Sequence, residues 1–207
     1  MRIAVYAGSF NPLHIGHLAI MRYLTGDMGF DMVYLVVSPK NPIKDTVSAD
    51  TGRERYEAAV AAVSRHPELK VRVDDIELGM PEPQYTIRTL DALAAREPDN
   101  SFVFVLGADN LANIRRWRDY GRILSDFGVV VYPRKGYDMA ALRAGLMAEC
   151  GKPAIQAPAA GQNDGRIRSD SGVYKIMLME EAPMVDISSS ELRAAFAAGI
   201  DASAYLM

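Results

Sequence analysis

Short apolar runs alternate along this chain with longer stretches of helical period. Residues 3–7, 32–37, 71–73, 102–106, 129–132 and 174–179 are apolar, often β-branched, and read as strands. Residues 18–25, 53–64, 86–96, 111–116, 120–125, 139–149 and 189–198 carry helical patterns. This alternation predicts an α/β fold, a parallel sheet with helices on both faces. Phe102-Val103-Phe104-Val105-Leu106 is continuously apolar, as a central parallel strand should be. Such sheets take ligands beyond the carboxyl ends of their strands. Two junctions therefore stand out: the residues after the first strand, and Gly107-Ala108-Asp109-Asn110 after residues 102–106.

The first junction reads Gly8-Ser9-Phe10-Asn11-Pro12-Leu13-His14-Ile15-Gly16-His17. A strand ends in a Gly-bearing loop, and the loop opens a helix. His14 and His17 are three residues apart, a spacing that sets both side chains on one helical face. A helix N-terminus offers N–H groups and a positive dipole end, a natural seat for phosphate. Gly16 is expected to remove a side chain where a ligand approaches closely. Isolated histidines are more often packing or surface residues, but this chain has only three, and two stand here.

Near the far end stands Asp186-Ile187-Ser188-Ser189-Ser190-Glu191-Leu192-Arg193. Ser188 with Glu191 fits a capping box at a helix start. The same residues also fit a phosphate clamp, with serine hydroxyls and the forked guanidinium of Arg193 facing the anion. The residues alone leave both readings open. Gln84-Tyr85-Thr86 opens another helix. Trp117, the single tryptophan, sits among Arg115, Arg116, Arg118 and Asp119, where a core or groove residue and a partly exposed stacking face are both consistent.

Composition narrows the class. The chain has 207 residues, 49% hydrophobic and 24% charged, enough for one domain spanning 1–207. A net charge of −3 without a like-charge run gives no footprint for nucleic acid. No apolar stretch is long enough to span a membrane, and the first residues do not read as a secretory signal. The lone Cys150 permits no internal disulfide and no cysteine-built metal site, and suits a reducing, cytoplasmic setting. Residues 157–172 are small and polar and read as a mobile surface loop. The Gly-x-Gly-x-x-Gly of a nicotinamide-dependent dehydrogenase is absent after the first strand.

The string Gly8 to His17 resembles the His-x-Gly-His signature of the nucleotidyltransferase superfamily, and residues 187–193 look like its Ile-Ser-x-Ser/Thr-x-x-Arg motif. The resemblance implies a Rossmann-like doubly wound parallel sheet with helices on both faces. It also implies in-line attack of an acceptor phosphate on the α-phosphate of ATP, with no covalent enzyme intermediate. His14, His17 and Arg193 are then the catalytic candidates. Gly8, Ser9, Phe10, Gly16, Lys44, Gly107, Asp109, Ile187, Ser188, Ser189 and Ser190 are the ATP-binding candidates. Mg²⁺ is expected mainly on the ATP phosphates, with no protein metal site.

Gln84-Tyr85-Thr86-Ile87-Arg88-Thr89-Leu90 and Gly107-Ala108-Asp109-Asn110-Leu111 with Trp117 resemble the nicotinate-nucleotide adenylyltransferases. That family joins ATP to nicotinate mononucleotide, giving deamido-NAD in NAD biosynthesis. The resemblance implies Tyr85, Thr86, Trp117, Arg118 and Arg134 at the acceptor. Trp117 would stack on the pyridine, Thr86 and N–H groups near Arg118 would hold the carboxylate, and Arg134 the mononucleotide phosphate. Asn41-Pro42-Ile43-Lys44 replaces the family's Pro-Pro-His-Lys, and Ala7-Gly8 its Gly-Gly. The family often continues beyond the position of Leu206. Other acceptors, namely nicotinamide mononucleotide or phosphopantetheine, and a non-catalytic nucleotide sensor are the competing readings. Self-association into a homo-oligomer stays open.

Overall fold

A computed structural model describes residues 1–39, 51–149, 166–169 and 172–207. In chain order its elements are β1 (Arg2–Gly8), α1 (Ile15–Thr25), β2 (Met32–Val37), α2 (Gly52–Ser64), β3 (Val71–Asp74), α3 (Thr86–Arg96), β4 (Ser101–Gly107) and α4 (Ala108–Leu111). There follow α5 (Tyr120–Arg122), β5 (Val129–Tyr132), α6 (Met139–Glu149), β6 (Arg166–Ser169), β7 (Gly172–Leu178) and α7 (Ser189–Ala197). Two compact units result. Unit one holds Met1, Ile3–Gln84 and Pro183–Met207; unit two holds Arg2 and Tyr85–Ala182.

In unit one the strands run parallel in the order β3-β2-β1. Every residue of β2 after Met32 is buried, the mark of a strand covered on both faces. Ile3, Val5, Leu35, Met21 and Leu24 are fully buried and form its core. Residues Arg55, Ala59 and Ala62 make the buried stripe of α2. The register sets Gly8 beside Val37, so β1 and β2 reach their carboxyl ends together.

Unit two carries the order β4-β5-β7-β6. β4, β5 and β7 are parallel, and β6 pairs antiparallel with β7. β5 is buried throughout, and Leu90, Leu93 and Ile123 pack in the same core. Gly107 stands beside Tyr132 at the carboxyl ends of β4 and β5.

Several expected elements change form. Residues 111–116 are not one helix. α4 ends at Leu111, where the Asn113 side chain donates to the Asp109 carbonyl, and a separate 3-10 turn covers Ile114–Arg116. The apolar pair Leu111 and Ile114 fits either geometry, so periodicity could not separate them. The helix expected over 120–125 widens after Arg122 into a π turn, Ile123–Phe127, closed by the Gly128 N–H on the Ile123 carbonyl. The loop expected over 157–172 contains a strand: Arg166–Ser169 is β6. Its polar alternation hid a pairing supplied by β7. Residues 157–165 lie outside the described residues. Among the described residues, no helix is long and apolar enough to cross a membrane.

Candidate active site

The loop after β1 is built around an unusual helix start. His14 is not on the helix; it is the extended N-cap of α1. Its Nδ1 accepts from the Gly16 N–H at 3.1 Å, and His17 Nδ1 accepts from the His14 N–H at 3.2 Å. This is a capping box made by two imidazoles. It brings the ring centroids to 3.7 Å. The expectation of one helical face is corrected accordingly: the rings meet because each closes on the backbone of the turn. With Nδ1 accepting, each neutral ring carries its proton on Nε2.

Gly16 also acquires a different reason. A Cβ there would lie 3.0 Å from Cε1 and Nδ1 of His14. The glycine makes room for the capping ring. The Gly16 N–H, at the helix start, donates to His14.

Beneath His17 lies an aromatic floor. Phe10 meets its ring edge-on at 5.2 Å, and Tyr6 lies 6.0 Å away. Tyr6 and Phe10 are buried, so one side of His17 faces low-dielectric surroundings. Phe10 has φ 45, a value uncommon outside glycine. Gly8 lies beneath its ring, where a Cβ would come within 3.2 Å.

The second motif closes on the first. Ser189 Oγ donates to the Pro12 carbonyl at 2.9 Å, and Arg193 donates to the Asn11 carbonyl at 2.5 Å and to Ser190 Oγ at 3.1 Å. Ser188 caps α7 by accepting from the Glu191 N–H, while its hydroxyl donates to the Glu191 carboxylate at 2.7 Å. The helix-start reading of Ser188 is therefore seen directly. Ile187, half-buried, donates its N–H to the Val185 carbonyl. Both motifs thus meet in unit one, although they stand at opposite ends of the sequence.

In unit two the strand register explains a second grouping. Gly107 pairs with Tyr132, so Asp109 and Arg134, two residues beyond each, come together with Arg134 Nε 3.7 Å from Asp109 Oδ1. A Cβ on Gly107 would lie 2.3 Å from that oxygen, so the carboxylate folds over the glycine. Arg134 also donates to the Tyr132 hydroxyl at 2.9 Å. Thr86 is the first residue of α3, whose N-cap Tyr85 makes no side-chain capping bond. The Arg118 guanidinium lies 5.6 Å over the Tyr85 ring. Half-buried Trp117 meets Phe104 edge-on at 5.9 Å. Lys44 lies outside the described residues.

Tyr6, Asn11, Pro12, Tyr132 and Arg55 were not singled out by sequence. For Arg55 a signal existed: it shares the i, i+4, i+7 stripe of Ala59 and Ala62, a charge on an apolar face.

The chain matches the family described as Cytidylyltransferase-like over residues 5–195. A protein of Gluconacetobacter diazotrophicus named "Probable nicotinate-nucleotide adenylyltransferase" is 36% identical over 197 residues, covering 93% of this chain and 85% of that protein. One of the same name from Cytophaga hutchinsonii is 39% identical over 65% of this chain and 69% of its own length. The fold resembles that of Plasmodium falciparum nicotinic acid mononucleotide adenylyltransferase complexed with NaAD. The TM-score is 0.68 at 15% identity, over 98% of this chain and 87% of that one.

Proposed function

The chain belongs to the cytidylyltransferase-like family and to the nicotinate-nucleotide adenylyltransferases, and from that membership we propose that it transfers the adenylyl group of ATP to nicotinate mononucleotide. Deamido-NAD and pyrophosphate are the products. One observation carries the reading at the level of residues. Arg193 and Ser189 are hydrogen-bonded to the carbonyls of Asn11 and Pro12, in the loop that presents the paired rings of His14 and His17.

The acceptor phosphate oxygen attacks the α-phosphorus, and the bond to the bridging oxygen of pyrophosphate breaks. Negative charge grows on the α-phosphate oxygens. His17 meets it with its Nε2–H, from a ring already oriented by the bond at Nδ1, so little reorganisation accompanies the step. His14 presents the equivalent donor to the neighbouring phosphates. Arg193 spends two contacts on the loop and the serine, and its remaining N–H groups face the triphosphate with Ser190. Ser188 acts mainly by capping α7, and Ile187 leads into that cap. Gly8, Ser9, Phe10 and Gly16 shape the loop, and Lys44 is assigned to the phosphates from its motif.

For the acceptor, the start of α3 at Thr86 offers a positive helix end to the nicotinate carboxylate. Trp117 supplies a stacking face, and Arg118 is steadied over Tyr85. Arg134 takes the mononucleotide phosphate, while Gly107 and Asp109 lie along the adenosine. Among the described residues, no group of three or more His, Cys, Asp or Glu stands together to hold a metal. The proposed place of Mg²⁺ is on the ATP phosphates, where it would offset their charge. Both units are read as one catalytic domain, because the family match spans residues of each. A cytoplasmic setting rests on the lone Cys150.

The test is a pyrophosphate-release assay with ATP and, in parallel, nicotinate mononucleotide, nicotinamide mononucleotide and phosphopantetheine. The nicotinate substrate is expected to give the highest kcat/KM. A preference for either other acceptor contradicts the assignment.

A further inference from the structure

Arg55 is a charged side chain in the core of unit one, 5% exposed. Its Nη1 donates to the carbonyls of Ser9 and Ser38 at 2.9 and 2.8 Å, and its Nη2 to that of Pro39 at 2.7 Å. Ser9 follows β1, and Ser38 and Pro39 follow β2. The Ser38 N–H donates to the Gly8 carbonyl at 2.9 Å, so the two strand exits are also joined directly. One guanidinium thus gathers the backbone of both exits. Burying such a charge is costly unless its donors are engaged, and three converging carbonyls take up its terminal N–H groups.

The consequence runs into the phosphate loop. A peptide unit is planar and trans, so fixing the Ser9 carbonyl on Arg55 fixes the next N–H, that of Phe10, in the opposite direction. Phe10 then sits at φ 45, a conformation its neighbours must hold in place. Its ring lies edge-on to His17 at 5.2 Å. A continuous set of contacts therefore joins Arg55 to His17: guanidinium, Ser9 carbonyl, Phe10 backbone, Phe10 ring, imidazole.

We propose that Arg55 is a positioning residue of the phosphate loop, holding the Ser9–Phe10 turn so that Phe10 sets the orientation of His17. It touches no substrate itself. This role rests on the reading of His17 as the donor to the α-phosphate. Lysine at this position keeps the charge but lacks the planar fork that spans three carbonyls.

The experiment uses the full chain with Arg55→Lys, His17→Ala and the double variant. Arg55→Lys is expected to lower kcat about 10-fold or more, the scale on which misplaced groups lose rate. The KM for nicotinate mononucleotide should stay unchanged. In the His17→Ala background the same change should cost less than about 2-fold, because residues acting through one group are non-additive. Equal losses in both backgrounds, or no loss in either, overturn the proposal. A second readout needs no catalysis. The chain has three histidines, and the His17 ring proton signal should move in Arg55→Lys as Phe10 shifts; an unmoved signal in a folded variant overturns the proposal. If the parent chain makes no dinucleotide while the His17 signal moves as expected, the functional reading has failed and the positioning role stands.

Discussion

The paired histidines, Ser189 and Arg193 of unit one close chiefly on backbone groups, whereas Tyr85, Asp109, Trp117, Arg118 and Arg134 of unit two meet other side chains. His14 and His17 close on N–H groups of their own turn, and Ser189 and Arg193 close on the Asn11 and Pro12 carbonyls. In unit two, Arg118 lies over Tyr85, Arg134 leans on Tyr132 and faces Asp109, and Trp117 meets Phe104. Backbone partners cannot change rotamer, so the first arrangement is pre-organised, as charge stabilisation requires. Side-chain partners can shift together, which suits a surface that chooses a substrate. The contrast fits the proposed roles, in which the phosphate chemistry falls to residues of unit one and the choice of acceptor to residues of unit two.

The sharpest way to break this division is His17→Ala. It should lower kcat by about 10²-fold or more, the usual cost of one pre-organised donor, with a smaller change in ATP affinity. Near-normal turnover in stopped-flow or steady-state assays would remove His17 from the chemistry. Next comes Trp117→Ala, which should raise the KM for nicotinate mononucleotide roughly 5- to 150-fold, the equivalent of losing an aromatic platform, and leave that for ATP nearly unchanged. If both rise together, or the protein unfolds in a thermal melt, the indole belongs to the core with Phe104.

Arg193→Lys should have a smaller effect, weakening ATP binding several-fold because the fork to Asn11 and Ser190 is lost while the charge stays. Isothermal titration beside a melt separates binding from folding; equal ATP affinity would leave residues 187–193 with the capping role alone. The smallest effect is expected at an exposed ion pair. Glu68 has its pKa held down chiefly by the Arg22 hydrogen bond. A carboxylate depressed on folding stabilises above its unfolded pKa, and that contribution fades as pH falls through the folded value. Glu68→Gln should therefore lower Tm slightly at neutral pH, show no difference in strong acid, and leave kcat untouched. A kcat change would mean that the surface of unit one is coupled to its loop.

Much of the scaffold was legible because local rules and tertiary packing agree there. β2, β5, α3 and α6 occupy the expected residues, their apolar runs being long and cleanly bounded. The His-x-Gly-His string was legible as a strand-loop-helix junction but not in its geometry. Periodicity placed His14 on the helix, and only the structure shows its ring acting as the cap that Gly16 accommodates. Asp109 and Arg134 could not be paired from spacing, since strand register decides it. Arg55 was hidden for the opposite reason: a charge on an apolar stripe reads as a break in the pattern until its three carbonyls are seen. β6 needed its partner strand before its polar sequence meant anything.

Adenylyl transfer to nicotinate mononucleotide is read from the fate of labelled phosphorus in ATP. The full chain is incubated with nicotinate mononucleotide and ATP labelled either at the α- or at the γ-phosphorus, and the products are separated. The α-label is expected in deamido-NAD and the γ-label only in pyrophosphate, and both should depend on the acceptor. Label from the γ-phosphorus in an acceptor product, or α-label released without any dinucleotide, would contradict it.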